Sequence, residues 1–249
     1  MLLRRAWFAA AAAPLLLVLV GCSGGSADND LTVLAAASLT DAFTEIGAAL
    51  EAEHPGVDVR FDFGPSSALA ASILEGAPAD VFASADPTNM DDVVDAERVR
   101  GTARAFARNL LELAVPEGNP GEVTGVADLE DRGLLIGLCA PEVPCGRLAR
   151  ELLASLGVTP SLDTEEADVR ALLTKLGAGE LDAGIVYRTD VRAAAGDVEG
   201  IAVPEAARFP AVYTIAALRG AASAADTFLD FVLSAEGQRI LERHGFGPR

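Results

Sequence analysis

Leu31-Thr32-Val33-Leu34-Ala35-Ala36-Ala37-Ser38-Leu39-Thr40-Asp41 passes from a strand-like apolar run directly into a segment with helical spacing. The same passage recurs at Val57–Phe63 followed by Gly64-Pro65-Ser66-Ser67-Ala68. Each is a strand-to-helix unit whose turn delivers a serine hydroxyl to the start of a helix. A helix N-terminus carries unpaired backbone N–H groups and about half a positive charge, so it attracts anions without a basic side chain. Two such ends could face one small oxyanion. Serine is also a preferred N-cap, and Ser38-x-x-Asp41 has the spacing of a capping-box variant. Taken alone, each segment reads first as plain capping.

Outward from these two units the alternation continues. Asp80–Ala83, Leu110–Val115, Leu134–Gly137, Gly184–Tyr187 and Ala211–Leu218 read as strands. Helical spacing covers Thr88–Ala96, Cys145–Leu156 (stopped by Gly157), Asp168–Ala178, Ala224–Leu233 and Ala235–His244. Short apolar runs alternating with amphipathic segments predict an α/β fold with mostly parallel sheets. The roughly 220 residues after the leader suffice for one large domain or two lobes. No internal repeat is present.

The N-terminus reads as a targeting signal. Arg4 and Arg5 precede the apolar run 6–20, short for a membrane span and suited to a signal peptide. It ends in Leu19-Val20-Gly21-Cys22, which resembles a bacterial lipobox. That resemblance implies cleavage after residue 21, lipidation of Cys22, export, and anchoring at the outer face of the membrane. Residues 22–28, rich in Ser and Gly, read as a tether. Losing two arginines with the leader takes the net charge from −18 to −20, which argues against nucleic acid and against a polybasic membrane patch. It does not exclude an anionic ligand, because a buried site is governed by the donors that touch it. With Cys22 assigned, Cys139 and Cys145 remain in an oxidising compartment. A disulfide is the default, with a metal pair or a redox pair as alternatives.

The motifs then become specific. Ala35-Ala36-Ala37-Ser38-Leu39-Thr40-Asp41-Ala42, Ser66-Ser67-x-Leu69-Ala70 and Gly76-Ala77-Pro78-Ala79-Asp80-Val81-Phe82-Ala83-Ser84-Ala85-Asp86 come in order. Pro141-Glu142-Val143-Pro144-Cys145-Gly146, Glu166-x-Asp168-Val169-Arg170, Gly184-Ile185-Val186-Tyr187-x-Thr189-Asp190 and Gly237-Gln238-x-Ile240-Leu241-x-x-His244-Gly245-Phe246 follow. The chain resembles, from about residue 31 to 247, the molybdate-binding proteins of ATP-binding-cassette importers. The resemblance implies a two-lobed type II periplasmic-binding-protein fold with the ligand in the cleft between lobes. Its expected parts are one lobe of 29–109 plus 213–249 and another of 110–212.

The resemblance also implies the ligand set: neutral donors only, with Ser38 and Ser66 on one lobe and Cys145, Val169 and Tyr187 on the other. Cys145 and Val169 would act through their backbone N–H groups. Cys145 departs from the alanine more usual there, and a bridge to Cys139 would fix the loop presenting its N–H. Charge-assisted hydrogen bonds of about 1.5–3 kcal/mol each make such a shell chemically coherent for a dianion. Ser67 is the alternative to Ser66 as hydroxyl donor. Asp168 is expected to cap its helix and face away, and Arg170 to lie outside the ligand shell.

The implied function is a lipid-anchored receptor that captures molybdate, with tungstate nearly isosteric, and delivers it to an importer permease. Molybdenum enters only as the oxyanion; no cofactor, no nucleic-acid partner and a monomer are expected. Sulfate is the runner-up ligand. Phosphate receptors usually need an acceptor for the proton, and for an iron site Tyr213 beside Tyr187 is thin support. A serine hydrolase is the rival from another class, but no G-x-S-x-G elbow is present beyond the lipobox and tether, and His54 and His244 sit in a helix stop and the terminal helix.

Overall fold

The computed structural model describes residues 29–249. The expected signal peptide, the tether and the lipidation site Cys22 lie outside the described residues. The chain runs β1 (Asp30–Ala36), α1 (Thr40–Glu53), β2 (Asp58–Gly64), α2 (Ser66–Glu75), β3 (Val81–Ser84), α3 (Pro87–Asp95) and β4 (Val99–Asn109). It continues through β5 (Leu111–Pro116), β6 (Ile136–Cys139), α4 (Pro144–Leu156), β7 (Leu162–Glu166), α5 (Val169–Gly177), β8 (Ala183–Tyr187), α6 (Arg188–Ala193) and β9 (Val198–Ile201). It returns as β10 (Ala211–Leu218) and ends in α7 (Ala224–Leu233) and α8 (Ala235–Arg243).

Two five-stranded sheets result, ordered β2-β1-β3-β10-β4 and β7-β6-β8-β5-β9. They are the cores of two lobes. The mostly parallel expectation is corrected: both sheets are mixed. β1 pairs in parallel with β2 and β3, and β6 with β7 and β8. β10 is antiparallel to β3 and β4, and β5 to β8 and β9. The reason is the path between lobes. β4 leads into β5 across Leu110 alone, and β10 comes back into the first sheet, so each transiting strand runs against its neighbours.

Strand-to-helix turns on both lobes therefore face the same cleft. The first lobe is closed behind by α1, whose Phe43, Ile46 and Leu50 are fully buried. Phe43 meets Phe61, Phe106 and Phe228 at ring-centroid distances of 6.1, 5.7 and 5.6 Å. Burying each such side chain contributes about 1.5–3 kcal/mol, enough to hold α1, and with it Ser38, rigidly against the sheet. In the second lobe α4 approaches β6 so closely that a Cβ at Gly146 would stand 2.0 Å from the Ala140 carbonyl oxygen and 2.4 Å from that of Cys139. Only glycine permits this approach.

Candidate oxyanion site

A cavity of about 20 Å³ lies between the lobes, lined from the first by Ala36, Ala37, Ser38, Gly64, Pro65, Ser66 and Ala85. The second lobe contributes Val143, Pro144, Cys145, Asp168, Val169 and Tyr187. All five residues expected at the site, Ser38, Ser66, Cys145, Val169 and Tyr187, are brought to this one wall although up to 149 positions separate them in the chain. Ser67, half-buried, is not part of it. Organic ligands generally occupy about 300–1,000 Å³, so this volume suits a small inorganic ion.

Four helix N-termini converge here: the 3-10 turn Ala37–Leu39 that opens α1, then α2, α4 and α5. Their first N–H groups have no acceptor within the helix, and their dipoles point positive ends inward. Plain capping by the serines is excluded. Neither α1 nor α2 has a side-chain cap, because Leu39 and Pro65 hold the cap positions. Ser38 Oγ is instead 2.7 Å from the Tyr213 hydroxyl, and Ser66 Oγ accepts from the Ala85 N–H at 3.0 Å. With that acceptor role filled, the Ser66 O–H is left to donate into the cavity.

Tyr187 ends β8 at 2 % exposure, and its hydroxyl finds no hydrogen-bond partner among the described residues. Burial raises its pKa well above the usual phenol value, and burial does the same for Tyr213. Both hydroxyls therefore keep their protons. The two rings meet edge-on, centroids 6.2 Å apart, at the seam between the lobes. Among the described residues the cavity wall carries no Lys, Arg or His and a single carboxylate, which is engaged locally: Asp168 Oδ1 accepts from the Ala171 N–H at 2.9 Å and caps α5. The helix expected over 168–178 is thus Val169–Gly177 between its caps. Arg170 is absent from the wall.

Cys139 and Cys145 are bonded to each other, with Cα atoms 5.9 Å apart. The bridge ties the end of β6 to the first turn of α4. Arg150 reinforces the same junction by donating to the carbonyls of Cys139 and Gly146 at 2.8 and 2.9 Å. Peptide mapping of unreduced protein is expected to yield the linked Cys139–Cys145 pair, and reduction to cost about 2 kcal/mol of stability by the chain-entropy estimate. Alkylation of both thiols without reductant would contradict the pairing.

Sequence reasoning missed the supporting residues. Tyr213 entered only as thin support for an iron site, yet it holds Ser38, and Asn109 Nδ2 donates to Tyr213 at 3.4 Å and to Thr189 at 2.8 Å. Asp190, fully buried, accepts from the Tyr187 N–H at 3.1 Å and so fixes the turn carrying that tyrosine. Burial pushes its carboxyl up to about 7, against the opposing pull of Arg170 and the Tyr187 N–H. No local signal marks these partners, because their contacts span 80 residues or more or depend on which side chain is buried.

Residues 31–247 match the bacterial extracellular solute-binding proteins. The molybdate-binding protein ModA of Mycobacterium tuberculosis is 40% identical over 220 residues, covering 88% of this chain and 84% of that one. Among solved structures, the periplasmic molybdate-binding protein of Azotobacter vinelandii superposes with a TM-score of 0.75 at 21% identity, covering 88% and 99% of the two chains. The sulfate-binding protein SubI of M. tuberculosis does so with a TM-score of 0.79 at 18% identity, covering 88% and 87%. Both structures share the fold.

Proposed function

We propose, for a chain that belongs to the bacterial extracellular solute-binding proteins, that it captures molybdate and hands it to the permease of an ATP-binding-cassette importer. The observation that carries this reading is the small cavity, free of cationic side chains, at the meeting of four helix N-termini, with the Tyr187 hydroxyl lacking a hydrogen-bond partner among the described residues. A fully deprotonated tetrahedral oxyanion offers acceptors to every donor and asks for no acceptor in return. Fixed neutral dipoles satisfy it without burying a cation that must itself be desolvated. The relative at 40% identity is named for molybdate, and tungstate has the same charge and nearly the same size.

In this reading Ser38, Ser66 and Tyr187 give hydroxyl hydrogens, and Cys145 and Val169 give backbone N–H groups. The lobes, 29–109 with 213–249 and 110–212, close on the ion by the hinge motion of two-lobed receptors. Cys22 carries the lipid that holds the receptor outside the cell, the receptor works as a monomer, and it performs no catalysis. Among the described residues no helix is long and apolar enough to cross a membrane.

Thermal unfolding tests the ligand. A ligand that binds only the native state stabilises it by about 2.7 kcal/mol at a hundred times its Kd. For a protein of this size that corresponds to an increase in Tm of about 5–10 °C. Molybdate and tungstate at millimolar concentration are expected to produce it. A shift with sulfate alone would reassign the receptor to sulfate.

A further inference from the structure

Outside the cavity, two arginines of the second lobe reach across the cleft, one on each flank. Arg147 in α4 pairs with Asp86, and Arg170 in α5 pairs with Asp41. Their settings correspond. Arg147 lies two residues after Cys145, and Asp86 follows Ala85, whose N–H holds Ser66. Arg170 follows Val169, and Asp41 stands three residues after Ser38 at the start of α1. Arg147 therefore bridges α4, whose start lines the cavity, to the segment that holds Ser66, and Arg170 bridges α5, whose start also lines it, to the helix that follows Ser38.

The two flanks differ in depth. The Arg147 and Asp86 side chains are 32% and 15% exposed, those of Arg170 and Asp41 30% and 45%. Asp86 is also fixed from behind, since its Oδ1 accepts from the Asn89 N–H at 3.0 Å and caps α3. Arg170 has a second carboxylate within its own lobe: its Nε lies 3.7 Å from Asp190 Oδ1, and both atoms lack a hydrogen-bond partner among the described residues. Asp190 in turn holds the Tyr187 N–H. Arg170 thus links the elements that carry Val169, Ser38 and Tyr187.

We propose that Arg147–Asp86 and Arg170–Asp41 are paired clasps that set how long the cleft stays shut, making Arg147 and Arg170 positioning residues that govern ligand release. Because none of the four charged groups except through its neighbours meets the cavity, the clasps act on the closed state as a whole. They raise retention of any anion the cavity accepts while leaving selectivity to the neutral donors. An open cleft separates the partners, so breaking a clasp changes the rate of opening far more than the rate of capture. Ion pairs of this partial exposure are also weakened by salt.

The inference rests on the anion-receptor reading, so its test has one arm that does not. On the mature chain, release of radiolabelled molybdate is timed for wild type, Asp41→Asn, Arg147→Gln, Arg147→Lys and the Asp41→Asn/Arg147→Gln pair, at low and high salt. Asp41→Asn is preferred to Arg170→Gln because it leaves Asp190 its cation. Each single neutralisation is expected to speed release roughly two- to fivefold, with the pair multiplying the effects. Capture rates should stay within about twofold, the acceleration by salt should flatten in the pair, and Arg147→Lys should retain part of the retention. Release unchanged in the pair, or an equal change confined to capture, overturns the clasps. In parallel, small-angle scattering without added anion is expected to show a larger radius of gyration for the pair than for wild type; identical radii overturn them as well. If wild type retains no molybdate yet the pair opens in scattering, the ligand assignment fails and the clasps stand.

Discussion

Tyr187→Phe is expected to weaken molybdate binding by roughly ten- to a hundredfold while leaving the ligand-free protein as stable as before, or slightly more so. The hydroxyl is buried and makes no hydrogen bond among the described residues. Removing an unsatisfied buried polar atom relieves a desolvation penalty of about 1–3 kcal/mol rather than breaking a contact. Bound to a dianion, the same hydroxyl forms a charge-assisted hydrogen bond of about 1.5–3 kcal/mol, all of which the substitution removes. Isothermal titration and thermal unfolding on one preparation separate the two effects. A packing role for Tyr187 would show the opposite pattern, lower stability with affinity unchanged.

Ser66→Ala is expected to cost a similar factor in affinity and, unlike the tyrosine change, to cost stability too. Its oxygen accepts the Ala85 N–H, buried at the same wall. Alanine leaves that donor unpaired at about 1–3 kcal/mol. Ser38→Ala should lose comparable affinity, since Ser38 and Tyr213 share one hydrogen bond and the pair has a hydrogen to spare for the ligand. Ser67→Ala should be nearly silent, because the side chain is half-buried and outside the cavity wall. Titration of the three variants decides the register: a damaging Ser67→Ala beside a silent Ser66→Ala would move the donor by one position.

How far the fold could be read in the residues follows a physical line. β1, β3, β6, β8 and β10 are interior strands, covered on both faces, and their apolar runs stand out. Of the four edge strands only β2 was legible, through the alternation of Val57, Val59, Phe61 and Phe63. β4, β7 and β9 were not. β4 carries Arg100, Arg104 and Arg108, and its pairing with β10 slips at two irregular places, which destroys a clean period of two. β7 reads Leu-Asp-Thr-Glu-Glu and β9 Val-Glu-Gly-Ile. Charged edges discourage aggregation and at the same time erase the hydrophobic signal. Helices with a packed face, such as α4 and α7, were found within a residue because burial imposes a 3.6 period on them.

The order of motifs points to an oxyanion receptor through its family resemblance; local chemistry in the chain by itself determined the alternation of elements, the serines at two helix starts and the pair of cysteines six apart. Each is written in residues close together, where turn geometry and periodicity act. Tertiary structure alone decided that the sheets are mixed, that Ser38 and Ser66 are not caps, that Tyr213 and Ala85 hold them, and that Asp190 sits behind Tyr187. It alone brought Arg147 to Asp86 and Arg170 to Asp41, partners 61 and 129 residues apart. A hydrogen bond between distant residues of one lobe forms only after that lobe has folded, and an ion pair between lobes only after the two have met. The energy of such contacts depends on burial and approach that no short stretch of chain encodes.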